Sequence, residues 1–208
     1  MVTSRLKTVW GGGRRRLAED AAFGPWVTRV GTIRVPVATD DPFSYLARAI
    51  IYQQLAVAAA RTIHGRFMDA LEGDVTPKRV LRTREPRFRA AGLSANKLAA
   101  IVDLAHKVTS REVDLSDLHR QTDDAVIDQL TVVRGIGPWT AQMYLMFRLH
   151  RPDVWPVGDL GVRAGFAKIQ GLAAPPGPKE LEPLGERYCP WRSAAAFYCW
   201  RALETDIE

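Results

Sequence analysis

Apolar residues recur at three- and four-residue intervals along most of this chain and hardly anywhere at intervals of two. That period predicts helices that each bury one face. Asp41-Pro42 opens a clear one, aspartate as N-cap and proline in the first position, with Phe43, Leu46, Ala47, Ile50 and Ile51 as its stripe. Gln53-Gln54 interrupts the run, and a second helix follows through Leu55, Ala58, Ala59, Thr62, Ile63 and Phe67. From Pro77 to Phe88 the pattern is one of short, basic, proline-punctuated helical turns. Ser94 caps a helix whose stripe is Leu98, Ile101, Val102, Ala105 and Val108, and Thr122 caps another carrying Ala125, Val126, Ile127 and Leu130. Asp159 starts a helix from Leu160 to Ile169; Ala173 to Pro178 is a stiff connector; Pro190-Trp191-Arg192-Ser193 launches a last helix through Ala196, Phe197, Trp200 and Leu203. Thr32 to Val37 is the one candidate strand. An all-α fold of about ten helices without internal repeats is expected.

Two stretches do not follow the amphipathic pattern. Near the start, Leu17 to Phe23 reads as a short helix stopped by Gly24-Pro25, and residues 1 to 16, ending in Gly11-Gly12-Gly13 and Arg14-Arg15-Arg16, read as a loose basic arm. In the middle, Leu130 to Phe147 runs Leu-Thr-Val-Val-Arg-Gly-Ile-Gly-Pro-Trp-Thr-Ala-Gln-Met-Tyr-Leu-Met-Phe. A helix end meets Gly135-Ile136-Gly137, and a new helix begins at once with Pro138, Gly137 in the N-cap position. Two glycines around one residue let the backbone bend sharply and meet a partner with no Cβ in the way. The amides of Gly135, Gly137 and the new helix start then form an anion site. Taken alone, the same turn is also just a tight helix–helix connection.

Composition narrows the anion. The 208 residues carry a net charge of +6, and only six of the 29 basic residues are lysines, so nucleic acid is the natural acidic partner unless the arginine content is mere compositional bias. No apolar run approaches the ~20 residues that span a bilayer, and Met1 to Lys7 has no apolar core of a secretory signal; a cytoplasmic protein is expected. Cys189 and Cys199, ten apart, suit a pair of buried reduced thiols, and His64, His106, His119 and His150 are too scattered for a catalytic metal.

Asp159 lies twenty residues beyond Trp139, on a loop formed by Val154-Trp155-Pro156-Val157-Gly158. A plain N-cap role fits it well. A capping carboxylate is also fixed in orientation, and the helix dipole favours its charge.

Taken together, Leu130-x4-Gly135-Ile-Gly-Pro-Trp-Thr-Ala141 and Val157-Gly-Asp159 resemble the helix-hairpin-helix and Gly/Pro-Asp signature of a DNA glycosylase superfamily, most closely its AlkA-like 3-methyladenine DNA glycosylase II family. Asp41-Pro-Phe-x2-Leu46-x3-Ile50-x2-Gln53-Gln54-Leu55, Gly92-Leu-Ser94-x2-Lys97, and Pro190-Trp-Arg-Ser193 with Trp200 agree with it, in order, from about Leu17 to Leu203. The resemblance implies that Asp159 is the catalytic carboxylate. Gly135, Gly137 and Thr140 would grip DNA phosphate through their amides, and Gln54, then Leu55, would plug the duplex where the target base has left. Backbone carbonyls of Thr131, Val133 and Gly135 would hold a structural Na+ or K+. Trp139, Met143, Trp155, Trp191 and Trp200 would wall the base pocket, although core packing explains any single one of them as well.

Departures from the family pattern carry equal weight. Met143 stands where the family commonly has tyrosine, and Trp139 stands where bifunctional relatives carry a lysine that forms a Schiff base with the sugar. Two cysteines cannot ligate the four-cysteine iron–sulphur cluster of endonuclease III-type relatives. The roughly 40 residues before Asp41 are too few for the extra α/β domain of larger members, so a more open site is expected. The expected architecture is a single glycosylase unit over 1–208, with one lobe at 41–150 holding the hairpin at about 122–149, a second made of 1–40 and 151–208, and a basic cleft between them. Its function would be monofunctional, cofactor-independent release of alkylated bases from double-stranded DNA by a monomer. The rivals are a non-catalytic helix-hairpin-helix DNA-binding module and a glycosylase for another lesion class.

Overall fold

The computed structural model describes residues 6–37 and 40–205. Among them are twelve α-helices, two 3-10 turns and one two-stranded sheet. Strand β1 (Leu6–Thr8) leads into helix α1 (Gly11–Ala18), then α2 (Gly24–Val30) and β2 (Arg34–Pro36). The strands pair antiparallel, Leu6 opposite Pro36 and Thr8 opposite Arg34.

Here the sequence expectation needs two corrections. Met1 to Arg5 of the expected loose arm lie outside the described residues, but Gly11 to Ala18 is helix. Two of its glycines serve packing: a Cβ on Gly12 would stand 2.5 Å from the Trp191 ring, and one on Gly13 2.7 Å from Ala194 Cβ. Gly24-Pro25 does not stop a helix but starts α2, since proline fits the first turn, where no amide is needed.

The chain divides into two compact units, Ala38–Ala141, and Met1–Val37 together with Gln142–Glu208. The first unit holds α3 (Pro42–Tyr52), α4 (Val57–Ala70), α5 (Pro77–Arg82), α6 (Glu85–Ala90), α7 (Ala95–Thr109), α8 (Asp123–Thr131) and the start of α9 (Pro138–Phe147). Local side chains set its helix starts. Asp41 Oδ1 accepts from the amides of Phe43 and Ser44, Ser94 Oγ from Lys97, and Thr122 Oγ1 from Ala125, as Asp and Ser/Thr do at N-caps. Helix α7 packs against α3 and α5 over a core including Leu46, Ile50, Ile51, Phe67, Phe88, Ile101 and Leu104, all buried.

The second unit adds α10 (Leu160–Gln170), α11 (Pro178–Leu184) and α12 (Arg192–Leu203) to the N-terminal elements. Helices α10 and α12 pack so closely that a Cβ on Gly165 would lie 1.9 Å from the Cys199 carbonyl oxygen. Of the cysteines, Cys199 is buried but Cys189 is exposed, at the turn before α12, so no buried pair exists. No helix among the described residues is long and apolar enough to cross a membrane.

Candidate active site

In the Ala38–Ala141 unit, α8 ends at Thr131 and the turn reverses through Gly135, whose φ of +77° suits glycine. Gly137 follows, its carbonyl accepting the Ala141 amide (3.1 Å) as α9 begins. Gly135 and Gly137 are exposed, and a Cβ on Gly137 would meet nothing within 4 Å. Two side chains brace this turn. Gln53 Nε2 donates to the Gly135 carbonyl (2.9 Å) and to Thr140 Oγ1 (3.2 Å), and Asp103 Oδ2 accepts the Arg134 amide (2.7 Å). Asp103 also accepts from Lys107 Nζ. Burial pushes the Asp103 pKa up, but the Arg134 amide and the Lys107 bond and charge outweigh it and hold it below the ordinary carboxylate value.

Helix α3 ends at Tyr52, and Gln53 turns the chain out of it. Gln54 is exposed and sits at φ +56°, a left-handed conformation uncommon for a residue with a side chain; Leu55 beside it is also exposed. Of the two glutamines, Gln53 is thus spent on the hairpin and Gln54 is presented outward. A non-glycine residue held in such a conformation is a pointer to function.

In the other unit, Asp159 caps α10. Its Oδ1 accepts both the Val162 amide (2.8 Å) and the Trp200 indole N–H (2.9 Å). Gly161 makes room for that indole, since a Cβ there would lie 2.8 Å from Trp200 Cδ1. The loop before Asp159 is pinned to the start of α12. Arg192 grips Asp153 with Nε (2.8 Å) and Nη2 (2.9 Å), while buried Ser193 accepts the Val154 amide (2.9 Å) and donates to the Arg151 carbonyl (2.7 Å). The Pro-Trp-Arg-Ser segment therefore works by fixing the approach to Asp159. Buried Cys199 has its thiol pKa pushed well up, by burial first and then by the Asp159 charge, so it stays a neutral packing group.

The aromatics separate. Trp139 is 46 % exposed, and Met143 follows one turn later on α9, half-buried. Phe147 lies 5.8 Å, ring to ring, from Trp200. Trp200 itself is tied to the carboxylate, a role beyond that of a pocket wall. Trp191 is half-buried against the glycines of α1. Trp155 belongs to the core: it is buried, its indole donates to the Leu181 carbonyl (3.0 Å), and its ring meets Phe166 edge-on. Sequence reading missed the bracing by Asp103; its only signal was an acid four residues before Lys107 inside a helix. Among the described residues no cluster of histidine, cysteine, aspartate or glutamate could hold a metal.

Residues 47–190 match the model of the HhH-GPD superfamily base excision DNA repair protein. The chain is 32% identical over 164 residues to DNA-3-methyladenine glycosylase 1 of Schizosaccharomyces pombe, covering 77% of this chain and 72% of that one. A crystal structure of DNA-3-methyladenine glycosidase from Bacillus halodurans superposes with a TM-score of 0.85 at 30% identity, covering 97% and 93% of the two chains. The S. pombe enzyme Mag1 in complex with abasic DNA gives 0.83, also at 30% identity, covering 93% and 97%. With 47–190 matching the family model and the relatives matched over most of the chain, this protein is a member of the HhH-GPD superfamily of base excision DNA repair proteins.

Proposed function

We propose that the protein is a monofunctional DNA glycosylase, acting as a monomer, that flips alkylated bases out of double-stranded DNA and hydrolyses their N-glycosidic bonds. One observation carries most of the weight: the Asp159 carboxylate is locked by Val162 and Trp200, on a chain that also presents the hairpin turn. Solution of the S. pombe relative with abasic DNA supports DNA as the partner.

The chemistry needs little more. Flipping costs roughly a few kcal/mol, offset by the hairpin amides of Gly135, Gly137 and Thr140 on phosphate and by Gln54, with Leu55, filling the gap. Alkylation at a ring nitrogen makes the base cationic and a good leaving group. The C1′–N bond breaks with its electron pair going to the base, and positive charge develops at the sugar. The Asp159 carboxylate stabilises that charge and orients the water that adds to C1′, its proton passing to solvent. Trp139, with Met143 beside it, offers an electron-rich face to a cationic base, worth roughly 0.5–2 kcal/mol. Because Trp139 takes the place of a Schiff-base lysine, water is the nucleophile and no strand cleavage follows. The preferred base is 3-methyladenine, with 7-methylguanine, 1-methyladenine and 3-methylcytosine as further candidates. Na+ or K+ at the carbonyls of Thr131, Val133 and Gly135 would be structural only. Two of these oxygens already accept an N–H each, Val133 from Ile136 and Gly135 from Gln53, leaving one lone pair apiece for an ion.

Base release from methylated duplex DNA, wild type against Asp159→Asn, tests the reading. Asparagine keeps the cap, so the variant should fold and bind DNA while release falls by about 100-fold or more. Equal release by both would remove Asp159 from the chemistry; binding without release by either would favour the non-catalytic DNA-binding module.

A further inference from the structure

The Gly92-Leu93-Ser94-Ala95-Asn96-Lys97 segment has no task in the reaction so far. Ser94 caps α7, which places Lys97 in its first turn, half-buried. From there the Lys97 ammonium donates to the carbonyl of Ile51 and to that of Gln53 (2.8 Å). These groups lie at the C-terminal end of α3, where backbone carbonyls have no intrahelical partner. The last turn of α3 has no basic residue, and the left-handed residue that follows is Gln54, with no glycine to ease the turn. A lysine from another helix therefore does what a C-terminal glycine or a local cation does elsewhere. The second clamp on the same turn is the Gln53 side chain, bound to Gly135 and Thr140. Gln54 stands directly after a residue held at both its carbonyl and its amide side chain. Burial lowers the Lys97 pKa, in keeping with an ammonium withdrawn from water onto these carbonyls.

We propose that Lys97 is a positioning residue for base flipping: by holding the Ile51 and Gln53 carbonyls it fixes the left-handed turn that presents Gln54 to the duplex. The inference rests on the plug role proposed for Gln54. A plug ordered before it meets DNA loses no further conformational freedom on entering the stack. Without Lys97 the turn relaxes, and the loss falls on the step that only duplex DNA requires.

The test compares release from dimethyl sulfate-methylated DNA as a duplex and after heat denaturation, for Lys97→Met, Gln54→Ala and the double variant. Lys97→Met should lose about tenfold on the duplex but no more than about threefold on single strands, and the double variant should fall no further than the worse single one, since both act through one turn. If Lys97→Met does not fold, as thermal melting would show, the same ratio is read on Lys97→Gln, whose short amide cannot span both carbonyls. Parallel losses on duplex and single strand, or losses that multiply in the double variant, overturn the proposal. A duplex-selective loss in Gln54→Ala but not at Lys97 overturns it alone, whereas no selective loss in Gln54→Ala removes the plug role and this inference with it.

Discussion

Around the hairpin the held groups are mostly backbone: Gln53 donates to the Gly135 carbonyl, Asp103 takes the Arg134 amide, and Lys97 holds two carbonyls at the end of α3. Around Asp159 the decisive locks join side chains, Trp200 to the carboxylate and Arg192 to Asp153, over helices packed to backbone contact. The proposed tasks explain the contrast. A phosphate grip needs amides left facing outward, so its shape must be set from behind. A carboxylate meant for one sugar atom must not swing, so its own Oδ1 is tied from two sides. Glycine accordingly means different things in the two regions, and substituting it should separate them most sharply.

Gly165→Ala drives a Cβ into the Cys199 carbonyl region, so α10 and α12 must part. A cost of about 3 kcal/mol, or roughly 6–12 °C in Tm for a chain of this size, should show in thermal melting. Gly137→Ala meets nothing within 4 Å and should leave Tm within about 2 °C. Its methyl group instead stands where phosphate would approach, and affinity for duplex DNA should drop about tenfold by fluorescence anisotropy. If Gly137→Ala binds normally, the hairpin is a plain connection and the comparison collapses.

Trp200→Phe keeps an aromatic ring facing Phe147 but removes the N–H on Asp159 Oδ1. Turnover on methylated duplex should fall about tenfold with KM nearly constant, because the loss is one of orientation and not of substrate contact. A rise in KM with kcat unchanged would return Trp200 to the role of pocket wall.

What could be read in advance follows the range of each interaction. The caps at Asp41, Ser94, Thr122 and Asp159 were legible because each bonds an amide two or three residues on. The glycine hairpin was legible for the same reason. The indole bond to Asp159 spans 41 positions and the Gln53 bond to Gly135 spans 82, distances over which no local pattern reports. Trp155 and Trp200 look alike in the chain, yet one turns into the core and the other to the carboxylate. The triple glycine of α1 misled because its function, a seat for Trp191, depends on a residue far along the chain.

Asp103 gives the finest test, because there the hairpin backbone leans on a side-chain charge. Its pKa is held below the ordinary value, so its contribution is present above the unfolded carboxylate pKa of about 3.9 and fades as pH falls through the lower folded value. Near neutral pH, Asp103→Ala should remove about 1 kcal/mol of local protection, seen as roughly fivefold faster amide exchange at Arg134. The Val162 amide, bonded to Asp159, is the internal control and should not change. As the pH falls through that lower folded value, the wild-type Arg134 amide should approach the variant's behaviour once intrinsic exchange rates are corrected for. If Val162 speeds up as much as Arg134, the two regions do not open independently, and the contrast between a braced backbone and locked side chains describes one cooperative structure.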